Sequence, residues 1–120
     1  MAEDKHEFNS GAVRSKLDDV RYDLISPQAL RRLAATYAEG AEKYGDNNFR
    51  KGMEFSNVLN HVLTHIFDYL ADEDNHPMYE GIEVEDHLAH ACWGLMTLME
   101  QEETKPELND LYFHNGRDAL

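Results

Sequence analysis

The sequence predicts an all-α fold: a small helical domain of three main helices plus short terminal elements, completing a bundle by oligomerisation. Two observations carry the class. Residues 27–44, 57–71 and 86–103 each place apolar side chains at spacings of three and four, and no segment alternates convincingly with period two. A third carries the oligomer. Three helices make a thin core where bundles normally close with four, so a homodimer or tetramer with sites near subunit boundaries is expected.

The elements follow in order. Residues 1–20 read as a polar arm without periodicity, ordered only by docking. Arg21 to Pro27 is an extended lead-in. Ser26 suits an N-cap and Pro27 the first helical position, where a missing N–H costs nothing. Leu30, Leu33, Ala34, Tyr37, Ala38, Ala41 and Tyr44 then form one apolar face, and Gly45-Asp46 ends the helix. A loop over 45–55 carries Arg50 and Lys51. Ser56 is read as the cap of the second helix, whose apolar face is Leu59, Val62, Leu63, Ile66 and Leu70. His61, His65, Asp68 and Asp72 form a polar stripe opposite, with His65 turned toward the third helix and the others wet.

Residues 72–85 form an acidic loop with Pro77 and Gly81. The third helix is apolar on nearly all sides, with Leu88, Cys92, Leu95, Met96 and Met99 on one face, which predicts a central, buried position. The domain so defined spans 21–103, and a tail of 104–120 carries Pro106 and a short turn near 108–113.

The chain has 120 residues, 24 acidic against 11 basic, a formal charge of −13 and 42% hydrophobic residues. Its sequence pI is near 4.7. Such an acidic chain is a poor ligand for nucleic-acid phosphates, whose affinity comes from Lys and Arg displacing counterions. It is equally unsuited to an anionic membrane surface. One cysteine, Cys92, makes no internal disulfide and reads as inert packing, as Met96 and Met99 read as core. The N-terminus is not a signal peptide, and no stretch approaches the roughly 18–20 apolar residues of a membrane span. The expectation is a soluble, cytoplasmic protein. Neither GxxxxGK[ST] nor GxSxG occurs, which sets aside P-loop and serine-hydrolase chemistry.

Chemistry-bearing residues concentrate in three places. His87 and His90, three apart on an otherwise apolar helix, share one face and form either half of a metal site or two satisfied core histidines. The His61/His65/Asp68/Asp72 stripe supplies the other half or is a solvated face. Asp72-Glu73-Asp74-Asn75-His76 gathers oxygen donors of the sort Mg takes together with substrate phosphates, or is simply exposed. With Lys43, Arg50 and Lys51 nearby in sequence, these are parts for metal-bridged phosphate chemistry.

At this point several blocks resemble a family, the phage-encoded dATP/dGTP diphosphohydrolase N-terminal domains, small MazG-like helical pyrophosphohydrolases. Gly40-Ala41-Glu42-Lys43-Tyr44-Gly45-Asp46-Asn47-Asn48-Phe49-Arg50-Lys51-Gly52 matches G-A-x-K-Y-G-D-x-N-W-x-K-G. Met53-Glu54-Phe55-Ser56 follows it as M-E-W-S, and His87-Leu88-Ala89-His90-Ala91 stands for H-L-A-H-A. The likeness covers about residues 16–103. Thr64 stands where the pattern has arginine, Asp72 replaces a glycine, His76 replaces an acidic residue, and Gly94 lies where asparagine is common.

The resemblance implies metal-dependent hydrolysis of a deoxynucleoside triphosphate, dGTP or dATP, to monophosphate and pyrophosphate. The alternative is a non-catalytic nucleotide-binding protein on the same scaffold, a sponge or host-factor antagonist, which the missing arginine at Thr64 keeps open. His65, Glu73, Asp74, His87 and His90 are the implied metal ligands, with His65, Glu73 and Asp74 at the reacting centre. The divalent ion is Mg or Mn first, with Zn, Co or Fe as alternatives. Lys43, Tyr44, Asp46, Asn48, Phe49, Arg50 and Lys51 are the implied substrate contacts, the cations facing pyrophosphate and the rings stacking on the base. The compartment would be the host cytoplasm if the protein is phage-encoded.

Overall fold

A computed structural model describes residues 4–16, 19–71, 78–79, 82–83 and 85–113. Glu73, Asp74 and His76 lie outside the described residues, as does Asp72. The body is three helices, α1 (Pro27–Tyr44), α2 (Phe55–Ala71) and α3 (His87–Thr104), with α3 packed between the other two.

The first helix begins and ends where its punctuation says. The Ser26 hydroxyl accepts the Ala29 N–H at 3.2 Å, Pro27 occupies the first turn, and Gly45 closes the helix at φ 91°. That backbone angle is one only glycine adopts without strain.

The start of α2 differs from expectation. The helix opens at Phe55, and Ser56 is not its cap. Asp110 reaches back from the tail, one carboxylate oxygen accepting the Ser56 N–H at 2.8 Å and the other its hydroxyl at 2.6 Å. These bonds hold the Asp110 carboxyl below the usual carboxylate range. Nearby, the buried Gln101 amide is clipped to Met53, accepting its N–H at 2.7 Å and donating to its carbonyl at 2.9 Å. Residues 104–110 therefore fold back onto the body.

The largest correction concerns which faces pack. Leu88, Cys92, Leu95, Met96 and Met99 of α3 are exposed, as are Leu63, Ile66 and Leu70 of α2 and Leu30 and Tyr44 of α1. The packed side of α3 is made instead of His87, Ala91, Gly94, Thr97 and Gln101. Small residues win because they let the helices approach. A Cβ built on Gly94 would lie 2.4 Å from Val62 Cγ2. Among the described residues the buried apolar core is correspondingly narrow, comprising Leu33, Phe55, Val58, Val62, Ala89 and Ala91.

Short elements also appear where arm, lead-in and loops were expected. Strands β1 (Asp4–Glu7) and β2 (Val13–Lys16) pair antiparallel, with Lys5 opposite Ser15 and Glu7 opposite Val13. A second pair joins β3 (Met78–Tyr79) to β4 (Ile82–Glu83). Tyr22–Leu24, Asn48–Lys51 and Pro106–Leu108 are single 3₁₀ turns. Among the described residues no helix is long and apolar enough to cross a membrane.

Candidate functional site

Three helices bring titratable side chains to one spot. His65 comes from the middle of α2, His87 and His90 from the first turn of α3, Glu85 from just ahead of that turn, and Glu39 from α1. The His90 ring sits between two carboxylates, with Nδ1 2.9 Å from Glu85 Oε1 and Nε2 3.1 Å from Glu39 Oε2. His65 Nδ1 lies 3.8 Å from Glu85 Oε1 and 3.1 Å from His87 Nδ1. His87 is buried and its Nδ1 stands 4.0 Å from the second Glu85 oxygen. Burial is the main influence on His65 and pushes its imidazole below the ordinary histidine range. The Glu85 charge opposes this shift, while His90 and His87 add to it.

One ligand atom each from His65, Glu85 and His90 lie within 4.8 Å of one another. Ligands on opposite sides of an ion with bonds of about 2.0–2.3 Å stand about 4.0–4.6 Å apart. The trio is therefore within a small contraction of a coordination sphere, with Glu39 and His87 beside it. Mixed imidazole and carboxylate donors suit borderline divalent ions better than Mg, which prefers an all-oxygen sphere. A lowered His65 pKa helps here, because only the neutral ring ligates.

The first turn of α3 is tied to α1 by a second contact. Arg32 donates from Nε to Asp86 Oδ2 at 2.8 Å and from a terminal nitrogen to Oδ1 at 2.6 Å. Asp86 in turn caps α3, accepting the Ala89 N–H at 3.2 Å. The Arg32 fork is the main reason that the Asp86 carboxyl sits below its usual range.

Beside the cluster opens a cavity of about 400 Å³ between the three helices and the 45–53 segment, with His65 and His90 on its wall. Tyr37, Phe49 and Trp93 line it as an edge-to-face cluster, ring centres 5.6 to 6.4 Å apart. Asn47, Asn48 and Asn57 add amides, and Lys43 is the one cation on its wall among the described residues. Gly94 forms part of the floor against Val58 and Val62.

A family model described as dATP/dGTP diphosphohydrolase, N-terminal, matches residues 9–111. The chain belongs to this family. It has no match among curated proteins and none among solved structures.

In this member of the diphosphohydrolase family, His65, His87 and His90 converge, although His65 lies on α2 and the other two lie three residues apart on α3. Lys43, Tyr44, Asn48 and Phe49 line the cavity. Asp46 and Lys51 are exposed and do not. Arg50 is engaged elsewhere. Its guanidinium lies 4.7 Å from the centre of the Phe49 ring, contacts Asn47 and pairs with Glu100 at 3.2 Å. His61 is exposed at the cavity wall, Asp68 is exposed, and Thr64 turns its hydroxyl back onto the Asn60 carbonyl at 2.7 Å.

Sequence reasoning missed Glu39, Glu85, Tyr37, Trp93 and Asn57. Glu39 stands three residues before Glu42, but helical spacing alone does not say which turns inward. Glu85 reads as linker because it precedes the cap. Tyr37 and Trp93 read as core on apolar periodicity. In the fold they become the walls of a cavity.

Proposed function

We propose that the protein hydrolyses a purine deoxynucleoside triphosphate, dGTP or dATP, between its α- and β-phosphates, releasing monophosphate and pyrophosphate with the help of a divalent ion. The observation that carries this is the placement of the His65–Glu85–His90 cluster on the wall of an aromatic-lined cavity. The family membership supports the substrate class, and the cavity volume of about 400 Å³ suits a nucleotide-sized ligand.

His65, Glu85 and His90 would hold the ion, with Glu39 and His87 completing or orienting the set. When bound, such an ion supplies charge neutralisation at phosphate oxygens and acidification of water. The chain's own residues do the rest. Tyr37, Phe49 and Trp93 offer ring faces and edges to the base, and the Asn48 and Asn57 amides offer donors and acceptors for its rim. Lys43 gives the polyphosphate its cation, since phosphoryl chemistry depends mainly on positioned charge. Glu39, whose carboxylate faces His90 Nε2, is placed to accept a proton at the cavity edge.

The test is incubation of the purified protein with each dNTP and NTP and either Mn²⁺ or Mg²⁺, with products resolved by anion exchange. Monophosphate plus pyrophosphate from the purine deoxynucleotides, faster with Mn²⁺ and abolished by chelation, is expected. Intact nucleotide retained on the protein would favour a binding protein on this scaffold instead.

A further inference from the structure

Glu39 and His90 form one link between α1 and α3, and Arg32 and Asp86 form another. Arg32 and Glu39 are seven residues apart on α1, two turns along the same face. Asp86 and His90 are four apart on α3, one turn. The second link is the firmer. Both Asp86 oxygens are engaged by the guanidinium at 2.6 and 2.8 Å, and the Asp86 side chain is only 19% exposed. One of those oxygens also caps α3 through the Ala89 N–H. Asp86 is flanked by Glu85 and His87, so where the cap sits decides where Glu85, His87 and His90 sit.

We propose that Arg32 is a positioning residue for the metal site. By gripping Asp86 with both prongs it fixes the first turn of α3 against α1 and so sets the spacing of Glu85 and His90 to Glu39. This rests on the metal-binding reading of the cluster. Among the described residues Arg32 neither lines the cavity nor belongs to the His65–Glu85–His90 trio, and its contribution lies in geometry. A lysine keeps the charge but cannot make the planar double contact. Charge and geometry also predict opposite signs. Removing a positive group near a cation site strengthens cation binding by Coulomb's law, whereas loosening the ligands weakens it.

The experiment is calorimetric titration of the full-length protein with Mn²⁺ alone, comparing wild type, Arg32→Lys, Arg32→Gln and Arg21→Gln. The last breaks a similar fork, Arg21 on Asp23 at 2.8 Å, outside the site. Arg32→Lys and Arg32→Gln are expected to weaken Mn²⁺ binding about 10–100-fold, the usual cost of losing a residue that orients ligands. Arg21→Gln should stay within about twofold of wild type. Binding as tight as wild type, or tighter, in either Arg32 variant overturns the proposal. The imidazole ¹⁵N resonances of His90 in metal-free protein give a second readout. They should move in both Arg32 variants and not in Arg21→Gln, and unmoved resonances overturn the proposal as well. Should wild type itself take up no Mn²⁺, the metal reading fails, and these resonances still judge whether Arg32 sets the ring's position.

Discussion

His65 Nδ1 and His87 Nδ1 face each other at 3.1 Å across the seam between α2 and α3. Two imidazole nitrogens so placed share one proton, one ring donating and the other accepting. Burial is the largest cause holding His65 below the ordinary range. In the unfolded chain the same ring takes up a proton near its ordinary value of 6.5. The unfolded state thus binds more protons below that pH, so the His65 contribution to stability is present above about 6.5 and is lost as pH falls toward the lower folded value. Metal-free melting temperatures should therefore drop between about pH 7.5 and 5.5, and His65→Gln should flatten part of that slope. An unchanged slope in the variant would contradict the effect of burial on His65.

Gly94 is a point of close approach between α2 and α3. Alanine there meets Val62 Cγ2 at 2.4 Å and Val58 Cγ1 at 3.6 Å. Gly94→Ala should destabilise by about 1–3 kcal/mol, the usual cost of overpacking, read by urea unfolding. Adding Val62→Ala should restore part of the loss. Additive losses in the double variant would show that the clash is not the cause.

Thr97 is buried on the packed side of α3, 1% exposed, and its hydroxyl has no hydrogen-bond partner among the described residues. A polar atom left this way costs about 1–3 kcal/mol. Replacing the hydroxyl by a methyl of the same shape, Thr97→Val, should raise the denaturation midpoint by an amount corresponding to about 1 kcal/mol. A fall would mean that the hydroxyl has a partner in solution.

Trp93 is the single tryptophan, and it lines the cavity. Its emission should therefore change on adding dGTP or dATP with Mn²⁺, saturating with one ligand per site. Trp93→Ala should weaken nucleotide binding by about 1–3 kcal/mol, the range for loss of one base–aromatic stack. Unaltered emission at saturating nucleotide would place the base elsewhere.

How far these features could be read beforehand depends on the kind of signal each residue carries. The first helix was legible to the residue because Ser26, Pro27 and Gly45 are local punctuation, independent of tertiary contacts. Ser56 carries the same signal, but Asp110, far along the chain, claims its hydroxyl. Alternation with period two appears only when one face of a strand is buried. Strand β2 is exposed on both faces, so Val13–Lys16 shows none. The packed face of α3 was hidden because periodicity weighs large apolar side chains, whereas Ala91, Gly94 and Thr97 are what close approach selects. His87 and His90 stood out as polar residues in an apolar helix. Glu39 and Glu85 did not, being carboxylates among 24 acidic residues, and only the fold singles them out.

The claim on which the rest depends is that His65, Glu85 and His90 hold one divalent ion. Crystals grown with MnCl₂, with diffraction recorded for manganese anomalous scattering, test it most directly. A strong anomalous peak is expected about 2.0–2.3 Å from a ring nitrogen of His65, a ring nitrogen of His90 and a carboxylate oxygen of Glu85. Manganese bound only elsewhere, with His90 still held between Glu39 and Glu85, would contradict it.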